Sequence, residues 1–241
     1  MFRLSLLTLL LAPLGAAHAD DAAEQAAVRQ ALSRLAPDAQ IESIRPSAMP
    51  GVYEALVGGT EIYVSADGKY LLQGTLWNVE ARRNVTEDGR ALRRKQVLAE
   101  VGSEQRIVYA AAQPKHRVTV FTAIDCGYCR KLHEAVQQYN DAGISIEYIL
   151  FPRGGLQSPS YQDSVSVWCA EDRKAALTAA KRGEPVATAM CPNPIQQNLA
   201  LAQRLGINST PTLVTETGTA LQGFVPPDQL LAQLDAASAQ P

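Results

Sequence analysis

Four cysteines are all that this chain of 241 residues carries, and they do not come as two knuckles. Cys126 and Cys129 form a Cys-x-x-Cys, whereas Cys169 and Cys191 stand 22 residues apart. Zinc sites built from four cysteines usually pair one knuckle with another, so this spacing argues against zinc, and we expect no metal and no cofactor. A charge of one sign is missing as well. The net charge of −2 offers no electrostatic hint of nucleic acid. The chain also lacks internal repeats, low-complexity tracts and long apolar runs. Its most continuous apolar stretch, Leu4 to Leu14, is well short of the ~20 residues that a membrane span needs.

That stretch has another reading. Arg3 and the N-terminal amine precede it, and Ala17-His18-Ala19 follows as a small-x-small cleavage pattern. This is the layout of a secretory signal peptide over residues 1–19, with the mature chain starting at Asp20. Export places the cysteines in an oxidising compartment, where four are expected as disulfides in one of three pairings. The local motif favours Cys126 with Cys129. Cys169 with Cys191 is then a structural bridge closing a loop of about 20 residues, which contributes ~3 kcal/mol by loop entropy. Electron exchange among all four stays open as an alternative.

The Cys-x-x-Cys has a telling setting. An apolar, β-branched run, Val118 to Ile124, reads as a buried strand, and Leu132, Val136 and Tyr139 recur behind the cysteines at helical spacing. A Cys-x-x-Cys between strand and helix reads as a thioredoxin-like redox site. The first cysteine then lies at the helix N-terminus, where unpaired N–H groups and the dipole favour a thiolate. Cys129, one turn further in, is expected to be buried and to resolve the mixed disulfide that Cys126 forms. Gly127 leaves room above the sulfur, and Tyr128 offers a flat apolar surface to a bound peptide.

Upstream, Asp20 to Leu35 reads as an Ala-rich helix ending before Pro37. Glu61 to Ser65 and Tyr70 to Gly74 read as strands joined by a hairpin at Asp67-Gly68. So small a unit is marginal alone. Pairing with a second copy, through strand edges and Leu76, Trp77 and Val79, is the remedy we expect. Residues 82–103, rich in arginine with acids interspersed, read as a charged linker helix capped by Thr86. Downstream, the pattern predicts a strand over Glu104 to Tyr109, a helix over Cys126 to Asn140, and a strand over Ile144 to Phe151 parallel to the one before it. Helices over Ser160–Cys169, Glu171–Arg182 and Ile195–Leu205 form an insertion. Ile207 to Val214 then leads into a strand, Thr219 to Phe224 reads as its partner strand after a turn at Gly218, and a closing helix over Pro227–Ala237 completes the chain.

Taken together, the export signal, the basic linker, Val120-Phe121-Thr122, Cys126-Gly127-Tyr128-Cys129, Lys131-Leu132-His133, Phe151-Pro152-Arg153, Trp168-Cys169, Cys191 and Thr210-Pro211-Thr212 resemble the DsbC/DsbG family of periplasmic disulfide isomerases. The resemblance runs over nearly the whole mature chain. It implies a cystatin-like α+β dimerisation domain (20–81), the linker helix (82–103) and a thioredoxin-fold catalytic domain (104–241) with a helical insertion. It implies a periplasmic homodimer whose cleft holds misfolded, disulfide-containing exported proteins. It implies a membrane thiol reductant of the DsbD kind that keeps Cys126 and Cys129 reduced, and no nucleic-acid partner is expected. It implies a cis peptide before Pro211, with Thr210 and Pro211 facing the dithiol and binding substrate. The alternatives in view are a DsbG-like reductase of sulfenylated cysteines and a holdase chaperone, and chaperone activity beside isomerisation fits the family.

Two departures from the family pattern bear on mechanism. An acid often stands where this chain has Ala123, whereas here Asp125 immediately precedes Cys126 and disfavours its thiolate. The strand before the cysteines also lacks the buried acid of thioredoxin, so protons reach Cys129 by water or another group. His133, four residues after Cys129, is expected to pack rather than to act as a base.

Overall fold

The computed structural model describes residues 16–239, with side chains from residue 20. The proposed signal segment therefore lies largely outside the described residues. Among the described residues, no helix is long and apolar enough to cross a membrane.

The chain divides after Gly74 into two compact units. In the first, helix α1 (Ala16–Leu35) lies on an antiparallel sheet of β1 (Ile41–Pro46), β2 (Val52–Val57), β3 (Thr60–Ser65) and β4 (Leu71–Leu72), in that order. Val28 and Leu32, four apart on one helix face, pack with Tyr53, Ala55 and Val64. The predicted hairpin is present. Gly68 takes a left-handed φ of 69°, and Ser65 N–H bonds to Tyr70 O at 2.9 Å. Its second strand is shorter than expected and forms a sheet edge.

The second unit holds a five-stranded sheet, with a small ribbon of β5 (Trp77–Asn78) and β6 (Arg83–Asn84) and helix α2 (Val85–Ala99) before it. The sheet comprises β7 (Ile107–Tyr109), β8 (His116–Thr122), β9 (Ile144–Leu150), β10 (Thr212–Val214) and β11 (Ala220–Gln222), in the order β11-β10-β8-β9-β7. β8 and β9 pair in parallel, as the strand–helix–strand order predicts, and the other pairs are antiparallel. Between them come α3 (Gly127–Glu134), α4 (Val136–Asp141), α5 (Pro159–Cys169), α6 (Arg173–Arg182) and α7 (Ile195–Arg204), and α8 (Pro227–Ser238) closes the chain.

The alternation of side chains sorts β8 and β9 between two cores. Val118, Val120, Ile144, Ile146, Tyr148 and Leu150 pack with Leu132, Tyr139, Leu177, Leu230 and Leu234. Phe121 and Ile149 face the other way, toward Leu98 of α2, Leu201 and Ala202 of α7, and Leu205 just beyond it. Both faces are covered, which is why β9 is buried at every position.

Four expectations need correction. The helix after the cysteines is not continuous to Asn140. It breaks at Ala135, whose N–H bonds back to Leu132 O at 3.2 Å, and no glycine or proline marks the place. Ser103–Gln105 is a 3-10 turn, so the strand expected from Glu104 starts at Ile107. Asn84, not Thr86, caps α2, accepting from Glu87 N–H at 3.0 Å. Thr86 is buried and its hydroxyl accepts from Leu76 N–H. Nor is α2 a wholly solvated helix. Arg94 is 4% exposed, pairs with Glu87 and donates to Gly218 O at 2.7 Å, and Leu98 enters the core.

Candidate active site

The β8 strand delivers Thr122 into a short turn, and α3 begins at Gly127 with Cys126 as its N-cap (φ −90°, ψ 120°). A cap side chain is placed to accept from the first free N–H groups of a helix. Here that acceptor is sulfur: Cys126 Sγ accepts from Cys129 N–H at 3.4 Å. On its other side, Cys126 S–H donates to Thr210 O at 3.2 Å. The Thr210–Pro211 peptide is cis and immediately precedes β10, which pairs with β8. The motif at 126–129 and the Thr-Pro 81 residues after it thus meet at one end of the sheet.

Cys126 is 5% exposed and Cys129 is fully buried, and both are free thiols. Tyr128 stands out at 66% exposure. A Cβ built at Gly127 meets nothing within 4 Å, so the space above the sulfur is open. Burial pushes the Cys126 thiol up. Interactions with the Cys129 thiol, the Thr210 side chain, the Cys129 N–H and the Arg153 charge outweigh it and bring the thiol below its ordinary value. Thr210 Oγ1 is buried with no hydrogen-bond partner of its own. Cys129 goes the other way: burial raises it, and Lys181 only partly offsets this. One sulfur is prepared as a thiolate and the other is held as a thiol.

The charge beside the dithiol is not arranged as the sequence suggests. Asp125 immediately precedes Cys126, but Arg153 Nη2 lies 3.7 Å from its carboxylate, and Ser160 Oγ donates to it at 3.3 Å. Arg153 therefore meets the acid that was expected to oppose the thiolate, and its own charge acts on Cys126. Replacing Arg153 with alanine should raise the Cys126 pKa and slow its alkylation at neutral pH several-fold. Absorbance at 240 nm followed against pH (roughly the thiolate band) reads the change; a curve that coincides with the parent's would show the arginine to be idle.

His133 is buried, with its ring nitrogens bonded to Tyr148 OH at 3.2 Å and Thr178 Oγ1 at 2.9 Å. Burial, then the Lys181 and Arg182 charges, hold it down at about 4. It is a neutral packing residue, as the helix spacing suggests. Cys169, at the end of α5, is joined to Cys191 by a disulfide. Among the described residues, no three of His, Cys, Asp and Glu come together as metal ligands.

Comparison with known proteins agrees with this geometry. The family described as "Thioredoxin-like domain" matches residues 103–238, and "Disulfide bond isomerase protein N-terminal domain" matches residues 15–87. The thiol:disulfide interchange protein DsbC of Dickeya dadantii is 39% identical over 96% of this chain and 93% of its own. That of Escherichia coli is 36% identical over 95% of this chain and 94% of its own. The chain belongs to the DsbC family of disulfide isomerases. Among solved structures, a disulfide interchange protein from Neisseria gonorrhoeae superimposes with a TM-score of 0.52 at 27% identity, over 58% of this chain and all of its own. A thioredoxin-like oxidoreductase from Silicibacter pomeroyi shares the fold, with a TM-score of 0.51 at 23% identity, over 61% of this chain and 98% of its own. The DsbG-like and holdase alternatives are not favoured by these DsbC relatives.

Lys181 is the site residue that sequence reading missed. It stands in the last turn of α6, where a lysine reads as a complement to the helix dipole. Its spacing carried the signal, because it lies four residues after buried Leu177 and next to buried Ala180.

Proposed function

We propose that the protein rearranges incorrect disulfides in exported proteins, with Cys126 as nucleophile and Cys129 as resolving thiol. The observation that carries this assignment of roles is the opposed setting of the two sulfurs. Cys126 caps a helix and is brought below its ordinary pKa by its neighbours, while Cys129 is fully buried and held above its own. Cys126 attacks a wrong disulfide and holds one half as a mixed disulfide. The released substrate thiolate then reshuffles within the bound chain, or Cys129 displaces it and leaves it reduced.

Tyr128, Gly127, Thr210 and Pro211 form the substrate surface in this reading. The exposed ring of Tyr128 and the open space at Gly127 support it. Residues 20–81 serve as the dimerisation domain and 82–103 as the linker to the catalytic domain, 104–241. Support for a homodimer comes from the isomerase N-terminal family match and from the edge strand β4, whose Leu71 and Leu72 are exposed beside Tyr70. Such an edge is a template for pairing with a second copy. The protein acts in the periplasm after loss of residues 1–19, and a DsbD-like membrane thiol reductant returns the dithiol to its reduced form.

The deciding experiment is refolding of a scrambled, multiply disulfide-bonded substrate in a glutathione buffer, with the mature protein beside a form lacking residues 20–74. Activity that collapses on truncation supports a dimeric isomerase. Equal activity in both overturns the dimer-dependent reading and leaves a simple thiol reductase.

The Cys169–Cys191 bridge is assigned a structural role. Replacing both cysteines with serine should lower the stability of the second unit by ~3 kcal/mol, the loop-entropy value for this spacing. Thiol exchange at Cys126 should persist below the new midpoint. Denaturant melts of the two proteins measure the first effect. Loss of exchange in a folded double variant would instead place the bridge in the electron path.

A further inference from the structure

One charge beneath the dithiol has no place in the reaction as described so far. Lys181 is 4% exposed. Its Nζ donates to Thr122 Oγ1 at 2.8 Å and to Ala123 O at 2.6 Å. Ala123 packs with Cys126 and Cys129 in a single buried cluster, and Lys181 and the Thr122 side chain both act to lower the Cys129 thiol against its burial. Among the described residues, Lys181 has no carboxylate within ion-pair distance. A buried ammonium without a counter-ion is unfavourable, so a lysine here gains most from a neighbour that becomes an anion. The Cys129 thiolate, formed transiently in the resolving step, is such a neighbour.

We propose that Lys181 is the internal base of the resolving step, exchanging a proton with Cys129 by way of the Thr122 hydroxyl. The inference rests on the dithiol-exchange reading above. The Cys129 thiol proton passes to the Lys181 amine. The sulfur's freed electron pair forms the bond to Cys126 Sγ, and the Cys126–substrate bond breaks. The substrate leaves with that bond's electron pair as a thiolate, which takes a proton from water. The dithiol is oxidised to a disulfide and the substrate is reduced by the same two electrons. When a thiol reductant later reopens the disulfide, the ammonium returns its proton to Cys129. The buried acid missing from β8 is thus answered by a base on the inserted helix α6.

The electrostatics agree. Burial brings Lys181 down to about 8, and the two cysteines draw it back up. Asp125 also raises it and Arg130 lowers it. The other titratable neighbours are His133, kept neutral in its contact with Tyr148 of β9, and Arg182 beside it on α6. An amine of this kind is partly neutral at neutral pH, as a base requires.

The test uses Lys181→Met, which keeps the side chain's length and apolar stem, and Thr122→Val, which removes only the hydroxyl. Each is made in the full chain. Release of a chromogenic thiol from the Cys126 mixed disulfide is followed in single turnover against pH. The Cys129 titration is read separately in a Cys126→Ser background. Both substitutions should raise the Cys129 pKa and slow release about a hundredfold at neutral pH, within the range of general acid–base catalysis. The deficit should close as pH rises and hydroxide takes over. The thermal midpoint and the circular dichroism spectrum report that the fold is intact, and Thr122→Val carries the test if Lys181→Met does not fold. Folded variants whose release profiles coincide with the parent's overturn the lysine assignment alone. A parent that forms no mixed disulfide at Cys126 overturns the exchange reading and this inference with it.

Discussion

Cys126→Ser should reduce rearrangement of a scrambled substrate to the background of the glutathione buffer, whereas Cys129→Ser should accumulate a mixed disulfide on Cys126. The reasons differ for the two sulfurs. At Cys126 the attacking atom is itself removed. A serine hydroxyl is not ionised near neutral pH, and none of the interactions that lower the thiol brings an alcohol into range. At Cys129 the nucleophile survives and only its partner is lost. Attack and reshuffling within the bound substrate therefore continue, but the complex is no longer released by internal displacement. Isomerase activity should fall partially in Cys129→Ser and reductase activity almost completely. Mass spectrometry after an acid quench separates the cases. A mixed disulfide that accumulates on Cys129 in Cys126→Ser would reverse the proposed roles.

The asymmetry behind this prediction is legible in the amino-acid sequence. A strand, a Cys-x-x-Cys and a helix in that order place the first cysteine at a helix N-terminus, and Cys126 is the N-cap of α3. The parallel β8–β9 pair is equally legible, because two strands joined through a helix imply a parallel pair with a right-handed crossover. These features are local, or depend on one repeating pattern. The cis peptide at Thr210–Pro211 follows instead from the family resemblance.

What the sequence conceals depends on partners far away in the chain. Arg153 reads as a loop cation, yet it faces Asp125, 28 residues earlier, and acts on Cys126. Lys181 reads as the basic end of a helix, yet it donates to Thr122, 59 residues before it. Arg94 reads as part of a solvated face, yet it reaches the carbonyl of Gly218. A long cationic side chain carries no periodic mark of where its head group ends. The break at Ala135 is hidden for another reason, since the residues on either side continue the apolar spacing of one helix.

The largest structural effect is expected at another such cation, Arg106. Its side chain and that of Glu147 are each 11% exposed, and the two form an ion pair. The same guanidinium donates to Thr119 Oγ1 at 3.0 Å, to Leu98 O at 2.6 Å and to Val101 O at 2.9 Å. It thus satisfies carbonyls at the end of α2 while neutralising a carboxylate on β9, and ties that helix to the sheet behind the dithiol. Arg106→Ala strands Glu147 as a charge without its partner and removes the donor from two carbonyls. Breaking one side of a buried pair costs about 3–5 kcal/mol. For a unit of this size that is a fall in melting temperature of roughly 10 °C or more. The double variant Arg106→Met with Glu147→Met should be less damaged than Arg106→Ala, because both desolvated charges leave together. Thermal and urea melts of the variants test this. A loss under about 1 kcal/mol in Arg106→Ala would mean that water takes over the carboxylate and that the pair is effectively a surface one.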